Sequence, residues 1–270
     1  MKDDKKFTVL DFMRKKSDGV KISMLTAYDY PMASLIDRAG IDSVLVGDSL
    51  GMVVLGREST VSVTMDEMIH HAKAVKQGVK RAFLIGDMPF MSYQASDEDA
   101  VRNAGRFVKE AGCDAVKLEG GSEVAQRAIA VINAGIPVLG HIGLTPQSVS
   151  KLGGYRVQGK DPASAARLIN DAKCLAKAGC FAVILECVPK ELAKKIADKV
   201  DIPIIGIGAG AGCDGQVLVT YDMVGYFDKF VPKFVKQYAD ISGTISDAIR
   251  KFKSEIESGD FPDDKHSFTS

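Results

Sequence analysis

Four short apolar runs in this 270-residue chain each end in an acid: Val44-Leu45-Val46-Gly47-Asp48, Phe83-Leu84-Ile85-Gly86-Asp87, Ala115-Val116-Lys117-Leu118-Glu119 and Val183-Ile184-Leu185-Glu186. Runs this short, separated by helical stretches, read as parallel strands buried on both faces. Carboxylates at their C-terminal ends would converge on the face where an α/β barrel carries its active site. One acid at such a place can equally cap a helix or sit in a solvated turn. Four together point to a catalytic mouth.

The residues between the runs are punctuated to match. Ala-Gly pairs at Ala39-Gly40, Ala111-Gly112, Ala134-Gly135 and Ala178-Gly179 each precede an apolar run, and glycine there supplies the left-handed residue that ends a helix. Thr64-Met65-Asp66-Glu67 and Ser96-Asp97-Glu98-Asp99 resemble capping boxes, and Asp161-Pro162 places an N-cap before a first-turn proline. On this basis strands are predicted over 22–26, 43–47, 83–86, 115–118, 137–140, 182–185, 203–207 and 217–219. The last reads equally as a loop or a helix start. Eight strands suit a closed (β/α)₈ TIM barrel, an α/β fold of ~250 residues. The rival is a doubly wound open sheet, but GxGxxG is missing from the first βα unit. The Gly-rich loop Gly206-Ile207-Gly208-Ala209-Gly210-Ala211-Gly212 instead follows the seventh strand. That loop could hold a phosphate or simply turn tightly.

No linker or composition shift divides the chain, so residues 1–270 are expected to form a single barrel domain with a C-terminal helix and a short polar tail. The helix, over 244–258, carries Ile245, Ala248, Ile249, Phe252 and Ile256 on one face and would close the barrel or pack on a neighbouring subunit. Lys+Arg and Asp+Glu balance at 35 each, which argues against a nucleic-acid surface or a polybasic membrane anchor and favours a small-molecule partner. Five cysteines, an odd number without a CxxC pair, suggest neither a disulfide framework nor a zinc cage. The charged start Met1-Lys2-Asp3-Asp4-Lys5-Lys6 leads into no apolar signal region, and no run of ~18 apolar residues occurs. A cytoplasmic protein is expected.

Asp48, Asp87 and Glu119 offer three hard oxygen ligands from successive strand ends, the donor set that suits Mg²⁺. One or two of them could instead orient a cation or a turn. Lys117, two residues before Glu119, projects to the same face, where it would balance carboxylates and hold an anionic substrate. Glu186 is flanked by Leu185 and Cys187, an apolar setting that would raise its pKa and suit it as a general base, unless it caps the helix near Pro189. His141, also at a strand end, could touch substrate, although a structural histidine is the simpler reading. His70-His71 lack the HExxH arrangement of a metal site, and Ser49 lies in no GxSxG elbow.

Segments throughout the chain, among them Val46-Gly47-Asp48-Ser49-Leu50-Gly51-Met52, Gly86-Asp87-Met88-Pro89-Phe90, Val116-Lys117-Leu118-Glu119-Gly120-Gly121, Gly140-His141-Ile142-Gly143-Leu144-Thr145-Pro146-Gln147-Ser148 and Leu185-Glu186-Cys187-Val188-Pro189, resemble the 3-methyl-2-oxobutanoate (ketopantoate) hydroxymethyltransferase family. The similarity runs from about Phe7 to the His266-Ser267-Phe268 tail. It implies a barrel of the phosphoenolpyruvate/pyruvate-binding type and a Mg²⁺-dependent, aldol-type transfer of a hydroxymethyl group. The donor would be 5,10-methylenetetrahydrofolate, the acceptor 3-methyl-2-oxobutanoate and the product 2-dehydropantoate, on the route to pantothenate. It also implies a homo-oligomer, typically a decamer. Carried over by position, the resemblance places the metal ligands at Asp48, Asp87 and Glu119, oxo-acid contacts at Asp48, Ser49, Asp87 and Lys117, and the proton acceptor at Glu186.

Two rivals remain. A C–C lyase on the same barrel would need a cysteine acid in a mobile loop, and none of the five cysteines lies in an obvious lid motif. A catalytically idle, metabolite-binding barrel would have no evident reason to bury these charges.

Overall fold

The structure, a computed structural model, describes residues 5–269; Met1, Lys2, Asp3, Asp4 and Ser270 lie outside it, and with them most of the charged start. Eight strands alternate with helices: β1 Ile22–Thr26, β2 Ser43–Val46, β3 Phe83–Asp87, β4 Ala115–Glu119, β5 Val138–Gly143, β6 Ala182–Glu186, β7 Ile204–Ile207 and β8 Gly215–Leu218. The helices are α1 Val9–Ser17, α2 Tyr30–Ala39, α3 Leu50–Val53, α4 Met65–Gly78, α5 Asp97–Ala111, α6 Ala125–Asn133, α7 Val149–Leu152, α8 Pro162–Ala178, α9 Lys190–Ala197, α10 Thr220–Met223 and α11 Ile241–Ser258. All strand pairs are parallel and follow chain order. β8 pairs with β1 through Ile22↔Gly215 to Leu25↔Leu218, which closes the barrel.

The predicted punctuation is in place. Gly40, Gly112, Gly135 and Gly179 take φ of 84°, 69°, 88° and 96° at helix ends, a conformation that costs glycine no Cβ clash. Thr64 and Glu67 form a complete capping box on α4, Ser96 caps α5 through the Asp99 amide, and Asp161 caps α8 through the Ser164 amide. β2, β3 and β4 are buried at every position, as continuous apolar runs require.

The end of the barrel where the strands begin is held by a device repeated three times. Asp42, Asp114 and Asp214 each stand just before a strand, and each carboxylate accepts an amide N–H from the preceding strand: Ser23, Leu84 and Ile204, all at 2.8 Å. A lysine meets the same oxygen in each case, Lys15 at 2.6 Å, Lys6 at 2.7 Å and Lys16 at 2.8 Å. α1 lays Phe12, fully buried, edge-on against Phe7, Phe83 and Phe181 with ring centroids 5.0–5.5 Å apart. Ion pairs and aromatic packing thus close this end and leave the other for chemistry.

The glycines of the loop after β7 answer to packing. A Cβ at Gly210 would lie 2.5 Å from Lys190 Cβ, and one at Gly212 would lie 2.8 Å from Lys194 Cβ, so the loop runs too close to α9 for side chains.

The described residues divide into two compact units, one up to Val219 and one from Thr220 onward. The first contains the whole barrel, so β1–β8 pairing closes it without the C-terminal helix. In the second, the amides of Tyr238, Ile241 and Ser242 donate to the carbonyls of Met223, Val224 and Gly225. α11 is capped by Asp240 and ended by Gly259, and it presents Ile245, Ile249, Phe252 and Ile256 to the outside. Among the described residues, no helix is long and apolar enough to cross a membrane.

Candidate active site

The barrel register brings the predicted charges together. Asp87 pairs with Lys117 across β3 and β4, Glu119 with His141 across β4 and β5, and Gly143 with Glu186 across β5 and β6. Asp48 and Ser49 follow β2 after the single residue Gly47. Lys117 Nζ donates to Asp87 Oδ1 at 2.6 Å and to Glu119 Oε1 at 3.1 Å, and the Asp48 amide donates to Asp87 Oδ2 at 3.1 Å. Asp48, Asp87, Lys117, Glu119 and His141 are all buried. Asp48, Asp87 and Glu119 each offer one oxygen within 4.8 Å of the others. Ser49 stands beside this cluster, with its Oγ 2.9 Å from Tyr28 Oη.

Glu186 completes the mouth, but not in the apolar setting that Leu185 and Cys187 suggest. Cys187, with φ of +48°, turns the chain sharply after the strand, and the Glu186 carboxylate faces His141 Nε2 at 3.2 Å. His141 Nδ1 in turn faces Glu119 Oε1 at 3.4 Å. Neither ring nitrogen makes a well-directed hydrogen bond, yet each looks onto a carboxylate oxygen. The imidazole lies between the metal-ligand candidates and the candidate base. The Glu186 side chain is 15% exposed, against 2% for Asp87 and Glu119, so of these acids it is the one open to an incoming molecule.

The electrostatics describe a cluster short of positive charge. Burial first, then the charges of Asp87 and Glu119, push the Asp48 carboxyl well above the usual range. Burial also moves Asp87 up, outweighing the opposing effect of Lys117. Burial works against the Lys117 ammonium, but Asp87, Glu119 and Asp48 hold its pKa well above the ordinary lysine value. Burial would raise Glu119 too; Lys117 and His141 overcome it and bring the carboxyl down to about 2. Burial and Lys117 oppose a proton on His141, and the two glutamates prevail, raising it to about 9. Lys117 is bonded to Asp87 and Glu119, whereas Asp48 is left with the neutral amide of Gln147. Three oxygen donors from carboxylates, with the charge on one of them uncompensated, fit a hard divalent cation.

Three further residues escaped the sequence reading. Gln147, after β5, reaches both Asp48 and Glu119. Tyr93 Oη accepts the Glu119 amide at 3.0 Å and lies 2.9 Å from Gln147 Oε1. Tyr155, in the loop after α7, donates to Met52 Sδ at 3.8 Å; burial and the charges of Asp48, Glu186 and Glu119 raise its phenol. Gln147 was visible only inside the Leu144-Thr145-Pro146-Gln147-Ser148 segment, with nothing local to mark it. His70 is exposed on α4, and His71 Nδ1 lies 2.7 Å from the Tyr28 carbonyl; neither belongs to the candidate metal cluster found among the described residues.

A family model described as ketopantoate hydroxymethyltransferase matches residues 6–264. A 3-methyl-2-oxobutanoate hydroxymethyltransferase of Carboxydothermus hydrogenoformans is 59% identical over 262 residues, covering 97% of this chain and 95% of its own. That of Syntrophus aciditrophicus is 58% identical over 261 residues, with 97% and 95% covered. Among solved structures, 2,3-dimethylmalate lyase, a member of the PEP mutase/isocitrate lyase superfamily, shares the fold at a TM-score of 0.60 and 15% identity, over 96% of this chain and 91% of that one. The chain belongs to the ketopantoate hydroxymethyltransferase family and is an enzyme of the hydroxymethyltransferase class.

Proposed function

We propose that the protein transfers a one-carbon unit from 5,10-methylenetetrahydrofolate to C3 of 3-methyl-2-oxobutanoate. Water supplies the hydroxyl oxygen, tetrahydrofolate leaves as the methylene carbon's bonds to its nitrogens break, and the other product is 2-dehydropantoate, on the way to pantothenate. Asp48, Asp87 and Glu119 would hold Mg²⁺, which when bound would supply Lewis-acid stabilisation for the negative charge that develops on the keto oxygen as C3 loses its proton. Lys117 bridges Asp87 and Glu119, holds the Glu119 carboxyl ionised and adds a fixed positive charge beneath the anionic oxo-acid. Asp48, Ser49, Asp87 and Lys117 form the floor on which the oxo-acid rests, and the Ser49 hydroxyl, oriented by Tyr28, can donate to its carboxylate.

Glu186 removes the C3 proton. The observation that carries this assignment is its position: the partly exposed acid of the mouth, one imidazole away from the buried carboxylate cluster. His141 holds the Glu186 carboxylate toward the cluster. Gly143, paired with Glu186, has no side chain to fill the space beside it, and a Cβ there would lie 2.2 Å from the Glu186 carbonyl oxygen. A positioned base contributes ~10²–10⁴-fold. Glu186→Gln should lower kcat by about that factor while the titrated affinity for Mg²⁺ stays unchanged. Turnover close to wild type would remove Glu186 from the role.

We read the protein as cytoplasmic, with small molecules rather than nucleic acid or membrane as partners; its 35 basic and 35 acidic residues support the choice of a small-molecule partner. It is read as a homo-oligomer, a decamer by family resemblance, and the exposed apolar face of α11 supports association.

A further inference from the structure

Gln147 carries no charge and takes no part in the proposed proton transfer, yet it touches two of the three candidate metal ligands. It lies in the turn Pro146–Ser148 and is 5% exposed. Its backbone N–H donates to Glu119 Oε2 at 3.0 Å, and its side-chain Nε2 donates to Asp48 Oδ2 at 3.0 Å and to the Met88 carbonyl at 2.9 Å. Its Oε1 accepts from Tyr93 Oη at 2.9 Å and Gln94 Nε2 at 3.3 Å. These partners fix the amide's orientation, because turning it over would set Oε1 against a carboxylate and a carbonyl.

The result is a cluster in which the carboxylates are held by donors. Asp87 accepts Lys117 on Oδ1 and the Asp48 amide on Oδ2, and Glu119 accepts Lys117 on Oε1 and Gln147 on Oε2. Asp48 has its Oδ2 tied to the Gln147 amide. A cation that took any of these groups through both oxygens would have to displace such donors. Mg²⁺ needs only one oxygen per carboxylate in a compact octahedron, whereas Ca²⁺ takes 6–8 oxygens and uses bidentate carboxylates freely.

Resting on the reading that Asp48, Asp87 and Glu119 hold a cation, we propose that Gln147 is a positioning residue whose side-chain amide restricts Asp48 to one oxygen and so makes the site favour small divalent cations over large ones. Gln147→Met removes the side-chain donor at similar volume. Gln147→Glu keeps the shape and the acceptor toward Tyr93 and Gln94 while releasing Asp48 and adding an oxygen. Both changes free Asp48 to chelate.

The test is calorimetric titration of the full chain with Mg²⁺ and, separately, Ca²⁺, with folding checked by circular dichroism. Changes to groups that orient metal ligands shift affinity by ~10–100-fold, so the wild type should favour Mg²⁺ and the Kd ratio of Ca²⁺ to Mg²⁺ should fall about tenfold or more in each variant. If Gln147→Met does not fold, the shape-conserving Gln147→Glu decides. An unchanged ratio in a folded variant, or a wild type that binds Ca²⁺ as tightly as Mg²⁺, overturns the inference. A wild type that binds neither ion overturns the cation reading itself and this inference with it.

Discussion

Replacing Lys117 by methionine should lower the melting temperature of the metal-free protein by ~6–10 °C. The Lys117 side chain is 4% exposed and those of Asp87 and Glu119 are 2% exposed, with Nζ at 2.6 and 3.1 Å from their oxygens. Removing one partner of a buried ion pair costs ~3–5 kcal/mol, because the remaining charge is left in a poor solvent without compensation. For a chain of this length each kcal/mol is worth about 2 °C. The loss should depend on pH in a defined direction. Asp48 and Asp87 have native pKa values above the unfolded aspartate value, so the native state holds more protons than the unfolded one. Stability from these groups is therefore present at low pH and lost as pH rises through the raised native values. Without Lys117 that loss steepens. Mg²⁺ would replace the missing charge and should stabilise the variant more than the wild type. Scanning calorimetry in EDTA and then in excess Mg²⁺ measures both effects. A shift below ~2 °C in EDTA, or equal stabilisation of variant and wild type by Mg²⁺, would refute the charge accounting.

At the opposite end of the barrel, Phe12→Ala empties a fully buried site among three aromatic rings and should cost ~3–5 kcal/mol by denaturant unfolding, with kcat of the folded fraction unchanged. Glu67→Ala breaks both the α4 capping box and the pair with Arg57 and should cost ~1 kcal/mol at neutral pH. The Arg57 hydrogen bond, followed by the Thr64 amide, depresses the Glu67 carboxyl to about 2. Its contribution is present above the ordinary value of 4.5 and lost as pH falls through about 2. Equal wild-type and variant stability at neutral pH would contradict it.

The fold was legible because most strands are short apolar runs and helices α2, α4, α5 and α8 carry side-chain caps at their starts. The strand ends were less so. β5 continues past Gly140 through His141 and Ile142 to Gly143, because β6 pairs with it as far as Gly143↔Glu186. β8 begins two residues before its predicted start, at Gly215, where a Cβ would lie 2.5 Å from the Ile22 carbonyl oxygen; only the neighbouring strand creates that demand. In the mouth, the acids and Lys117 could be read locally, since strand ends and period-two spacing decide where they point. The partners that orient them could not. Gln147 reaches Asp48 across 99 positions and Tyr93 across 54, and the bridging role of His141 depends on β4 and β6 flanking β5. The lysines that lock Asp42, Asp114 and Asp214 are equally remote in sequence, with Lys16 meeting Asp214 across 198 positions.

The central claim is that this mouth removes the C3 proton of 3-methyl-2-oxobutanoate with Glu186 as base. The most direct measurement follows that proton by NMR in D₂O, with Mg²⁺ and without the folate donor. Wild-type protein should exchange it for deuterium only when Mg²⁺ is present, Glu186→Gln should slow the exchange by ~10²–10⁴-fold, and adding 5,10-methylenetetrahydrofolate should convert the exchanging substrate into hydroxymethyl product. No exchange by folded, Mg²⁺-bound wild type, or exchange undiminished in Glu186→Gln, would contradict the account.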